Sequence, residues 1–64
     1  MSGVSMYAEP AEYADGQVHI GAGEDDHGEF RVVLIVGKCG VDLTTDECRQ
    51  VQWALLDAME VSDA

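Results

Sequence analysis

The sequence predicts an α+β fold, a small antiparallel β-meander of two or three strands packed against one C-terminal α-helix. Three observations carry this reading. Residues 30–36 are dominated by β-branched and aromatic side chains, the composition of a strand. A polar, glycine-bracketed segment at 23–28 separates them from an earlier alternating run, as a hairpin loop would. A capping sequence at Thr44–Glu47 then opens an amphipathic stretch that neither proline nor glycine interrupts.

The chain has 64 residues, enough for a single domain. Residues 1–15 carry Pro10, scattered Ala and Glu, and no period, so they are expected to form a flexible N-terminal arm anchored at most by Tyr7 and Tyr13. The domain itself is expected over 16–61, with 62–64 as a tail. Within it, Gln17 to Ala22 alternates and reads as the first strand. Gly23 to Gly28 encloses Glu24, Asp25, Asp26 and His27 as a hairpin loop. Phe30 to Val36 is the second strand. Gly37-Lys38 suits the centre of a type II′ turn, because glycine accepts the positive φ required at its first central position. Cys39 to Leu43 then returns as a short third strand.

Thr44-Thr45-Asp46-Glu47 has the form of a capping box, with Leu43 and Cys48 placed for a hydrophobic staple. Asp46 and Glu47 also favour the positive end of the helix dipole. Rotation by about 100° per residue puts Cys48, Val51, Leu55, Ala58 and Met59 on one stripe, expected to cover the sheet. Trp53 falls outside that stripe, with Leu56 between.

One helix covers one face of a small sheet. Alternation puts Phe30, Val32, Leu34 and Val36 on one face and Arg31, Val33 and Ile35 on the other. Val33 and Ile35, with Trp53 and Leu56, therefore leave more apolar surface than one helix hides, and such patches mark interfaces. The expectation is a symmetric homodimer, the commonest oligomer. The alternative is that the N-terminal arm folds across the open face, with Tyr7 and Tyr13 as its cover.

Thirteen acidic residues against three basic ones give a formal charge of −10. That field repels nucleic acid and anionic membrane, so neither is an expected direct partner; a basic protein surface is. Glu24, Asp25 and Asp26 form an acidic loop suited to steering such a partner. No basic-then-apolar leader opens the chain, and the apolar run Val32 to Val36 is too short to span a bilayer, so the expected location is the cytoplasm. Cys39 and Cys48 are then expected as buried free thiols rather than a bridge.

The chemistry-bearing residues do not assemble into a known motif. Cys39, Cys48, His19 and His27 lack the close ligand pairs of a zinc site. The Glu24–Asp26 loop lacks the alternating oxygens of a calcium loop. Val36-Gly37-Lys38 lacks the upstream glycine and following hydroxyl of a phosphate-binding loop. A non-enzymatic protein without cofactor, metal or catalytic residues is the expectation.

The segment Val41-Asp42-Leu43-Thr44-Thr45-Asp46-Glu47-Cys48-Arg49-Gln50 resembles small uncharacterised proteins of actinobacteria and their phages. In these a β-hairpin precedes a helix capped by a Leu-Thr-x-Asp-Glu sequence. The likeness covers about residues 17–60, with Cys48 and Trp53 standing where that pattern has alanine and leucine. It implies a cytoplasmic accessory protein, of bacterial or bacteriophage origin, and brings no catalytic residues. Two functions are consistent with these features: an acidic, homodimeric protein-binding module that engages a host or regulatory protein, and a DNA mimic that inhibits a DNA-binding protein.

Overall fold

A computed structural model describes residues 3–63, with side chains through Val61. The chain is α+β, but its antiparallel sheet has five strands rather than two or three. The additional strands come from the segment expected as an arm. β1 (Ser5–Met6) and β2 (Ala11–Tyr13) both pair with β3 (Val18–Glu24), at opposite ends of its outer edge. β4 (Phe30–Val36) and β5 (Cys39–Leu43) follow as a meander, giving the order β1-β3-β4-β5 with β2 beside β1's end of the path. α1 spans Thr45–Asp63, about one turn longer than the apolar pattern indicates. Of the expected tail, Ser62 and Asp63 lie in this helix; Ala64 lies outside the described residues, as do Met1 and Ser2 of the arm.

The two arm strands have a physical reason in β3. Gly21 and Gly23 face the arm with no side chain. A Cβ at Gly23 would collide with the Ser5 carbonyl oxygen, and one at Gly21 with the Met6 methyl and, at 3.2 Å, the Pro10 Cα. Glycine inside a strand commonly marks this close backbone approach.

The turns follow from local chemistry. Gly37 has φ 60 while Lys38 keeps a negative φ, the type II′ pattern that suits the right-handed twist of β4 and β5. In the β3–β4 loop, one carboxylate oxygen of Asp25 accepts from the backbone N–H groups of His27 (2.8 Å) and Glu29 (2.9 Å). At α1 the capping box forms as its sequence requires: Glu47 N–H donates to Thr44 Oγ1 (3.2 Å) and Thr44 N–H to Glu47 Oε1 (2.8 Å).

Register sorts the faces. Directly opposed residues share a face, so Ile20, Leu34 and Val41 form one row and Val18, Val36 and Cys39 another. This is the face that α1 approaches. His19, Arg31, Val33, Ile35 and Asp42 occupy the other. There, Val4, Met6 and Pro10 share a groove with Val33 and Ile35, which are half-buried. The arm thus does cross that face, but its aliphatic residues provide the cover. Tyr7 instead stacks on Phe30 on the helix side, with ring centroids 6.5 Å apart.

The helix covers less than its stripe allows. The backbone of α1 approaches β4 and β5 more closely than β3. Cys48, Val51 and Leu55 form one wall of an apolar groove of about 260 Å³, facing Ile20, Val32, Leu34 and Leu43. Among the described residues no hydrophobic side chain is buried. The cysteines expected to be buried are a half-buried Cys48 and an exposed Cys39, both free thiols. Cys39 is exposed because it opens the edge strand β5 beyond the reach of the helix.

Candidate interaction surface

The apolar residues that sequence periodicity assigns to the interior lie, in this chain, on an open surface. Leu55 and Met59 belong to the sheet-facing stripe of α1, yet they are 61% and 62% exposed. Two residues on the inward stripe can be this accessible only where the helix stands off its own sheet. Trp53 (63% exposed) lies on the side of the helix away from that stripe, with Leu56 (50% exposed) between them. On the sheet, Ile20, Phe30, Val36 and Val41 are exposed on the same side. Sheet face and helix together form an open apolar jaw, with α1 over β4 and β5 and no cover over β3.

Two measures quantify the openness. The radius of gyration is 13.3 Å, against about 11 Å for a compact chain of this length. The accessible surface is 5173 Å², whereas a folded monomer of 6.9 kDa exposes about 4,000 Å². The chain therefore exposes roughly 1,200 Å² more than a compact monomer of its mass. Of the four residues read from sequence as an interface, Trp53 and Leu56 are exposed on the outer side of α1 and do not line the groove between helix and sheet. Val33 and Ile35 lie on the opposite face, partly beneath the arm. Ile20, Phe30 and Val41 were not singled out by sequence; their signal is the pairing of β3 and β5 with the Leu34 side of β4.

Charge is concentrated away from the jaw. The β3–β4 loop and the start of α1 meet at one end of the sheet, because Leu43 pairs with Val32 and Phe30 with Glu24. This gathers Glu24, Asp25, Asp26, Glu29, Asp42, Asp46 and Glu47, more than half of the thirteen acidic residues. Arg31 sits among them, 3.1 Å from Asp25 Oδ2 and 3.9 Å from Asp42 Oδ2, and Arg49 pairs with Asp46 at 3.1 Å. The acidic steering loop read from sequence is thus one part of a larger acidic end.

The bonds that shape this end also lower two carboxyl pKa values. Asp25 is held below the usual carboxylate range chiefly by the Glu29 amide, aided by the His27 amide and Arg31. Glu47 is lowered chiefly by the Thr44 amide and then by the Thr44 hydroxyl. A carboxylate whose pKa is depressed in the folded state contributes stability that is present above its unfolded value and lost as pH falls through the folded one. The amide resonances of His27, Glu29 and Thr44 are therefore expected to hold from neutrality down into the ordinary carboxylate range and to shift together below it. Midpoints at ordinary carboxylate values would remove both bonds from the solution structure.

Tyr7 Oη donates to Glu24 Oε2 at 3.1 Å; partial burial and then this carboxylate raise the phenol above its ordinary value. Among the described residues no three His, Cys, Asp or Glu side chains are grouped as metal ligands, and no helix is long and apolar enough to cross a membrane. A scan of protein-family models finds no match, and neither a search of curated proteins nor one of solved structures finds one.

Proposed function

We propose that this chain is a small acidic protein-binding module that works as a homodimer in the cytoplasm, bacterial or bacteriophage in origin, and engages a host or regulatory protein. The observation that carries this reading is the open apolar jaw, on a chain that exposes roughly 1,200 Å² more than a compact monomer of its mass. Trp53 and Leu56, exposed on the outer side of the same helix, are proposed as further anchors, since large amphipathic aromatics dominate binding energy where they can be desolvated. The acidic end around Glu24, Asp25 and Asp26 steers a partner with a basic surface. The role proposed here is non-enzymatic and requires neither a cofactor nor a metal.

Light scattering across a concentration series tests the reading. A mass of twice 6.9 kDa is expected for the parent chain, with the double variant Trp53→Ala, Leu56→Ala displaced toward monomer. A folded parent monomer at every concentration would overturn the self-association, and a variant that matches the parent would remove these two side chains from the interface.

A second reading, a DNA mimic that occupies the cationic groove of a DNA-binding protein, draws support from the gathering of carboxylates at one end. Along the sequence they look dispersed; the hairpin and helix start bring them together. This reading requires competition with DNA for the target, weakened as salt rises.

A further inference from the structure

We infer that two copies of this chain assemble by reciprocal helix docking, the C-terminal half of α1 of each copy lying over the uncovered β3 side of the other's sheet. The inference rests on the self-association proposed above and specifies its geometry.

The space is of the right size. Strands lie about 4.8 Å apart and a helix with its side chains is about 10 Å across. One helix therefore covers two strands, and the backbone of α1 approaches β4 and β5 more closely than β3. β3 and the strand paired with it leave a second lane of similar width, carrying Val18, Ile20 and Tyr13 on the helix side. The occupant is available on the same chain. Leu55 and Met59 continue the inward stripe but stand clear of their own sheet, at 61% and 62% exposure.

The area suits a second copy. Covering roughly 1,200 Å² on each of two chains hides about 2,400 Å² in total, inside the ~2,000–5,000 Å² of permanent homodimers. An apolar lane and an apolar helix end on one chain are also what a twofold axis requires, since each copy then gives and receives the same contact. Charge agrees: the groove beside the lane is lined by uncharged residues, so two chains of charge −10 can meet there without opposing like charges in contact.

Charge-swap complementation tests this. Ile20→Glu places an acid in the lane and Met59→Lys a base on the helix end. Each single variant is expected at the monomer mass and the parent at twice it. An equal mixture is expected to recover the dimer mass, because one contact becomes Lys against Glu and the other remains native. Recovery also demonstrates that both variants fold. As an independent measurement, a nitroxide on M59C, with C39S and C48S, is expected to broaden the Ile20 and Val18 methyl signals of an isotope-labelled, spin-free copy mixed with it. A dimeric parent with neither recovery nor broadening overturns the reciprocal docking and leaves self-association standing. A monomeric parent overturns both.

Discussion

Tenfold dilution is expected to lower the thermal midpoint of this protein by about 5 °C, because in the homodimer proposed above unfolding and dissociation are one event. Among the described residues the isolated chain buries no hydrophobic side chain, and in the proposed homodimer contacts between copies supply that burial. For a dimer that unfolds to two chains, a tenfold change in concentration is worth ~1.4 kcal/mol. An unfolding entropy of about 2.1 cal/mol/K per residue over two chains converts that to about 5 °C. Calorimetry or circular dichroism over two decades of concentration checks it, and a midpoint independent of concentration would mean that the monomer is self-sufficient. Added salt should raise the midpoint, because it screens the repulsion of two chains of charge −10. A complex with a basic partner responds to salt in the opposite direction, so one titration separates self-association from partner binding.

Gly23→Val is expected to destabilise the fold by about 1–3 kcal/mol, the cost of overpacking a closed site. Gly23 is the one buried residue among those described. A Cβ there collides with the Ser5 carbonyl oxygen and comes within 2.8 Å of Val4 Cγ1. β1 must then leave β3, and the Tyr7 N–H bond to the Ala22 carbonyl (3.0 Å) and the Tyr7–Phe30 stack go with it. The sign is informative. Glycine in a strand costs about 0.5–1 kcal/mol relative to alanine, and valine favours strands, so a chain whose arm was undocked would gain from this substitution. Hydrogen exchange localises the effect: protection of Tyr7 should be lost while the β2–β3 pairing of Glu12 with His19 persists.

The meander and its helix were legible because their signals are local. Alternation in Phe30–Val36, the polar loop after Gly23, the glycine of the II′ turn and the capping box each act within a few residues, and each appears where the sequence puts it. β1 and β2 were not legible from their own residues. Strands of two and three residues carry no period, and Pro10 and the scattered alanines read as coil. Their signal lies in the partner strand, where Gly21 and Gly23 leave room for backbone to approach. The interaction surface was half legible. Trp53 and Leu56 stand out on any helical projection, whereas the exposure of Leu55 and Met59 depends on how far the helix stands off the sheet, which periodicity does not contain.

The division of the outer edge of β3 between β1 and β2 also bears on polymerisation. Sheets extend into fibres when both edges offer a continuous row of free backbone donors and acceptors. Here one edge is presented by strands of two and three residues, interrupted by Pro10, which has no N–H to give. Among the described residues only β5 offers an unbroken edge. Edge addition is therefore restricted to β5 against β5, which a twofold axis closes at two copies, so the chain can expose this much apolar surface without a route to open-ended growth through its sheet.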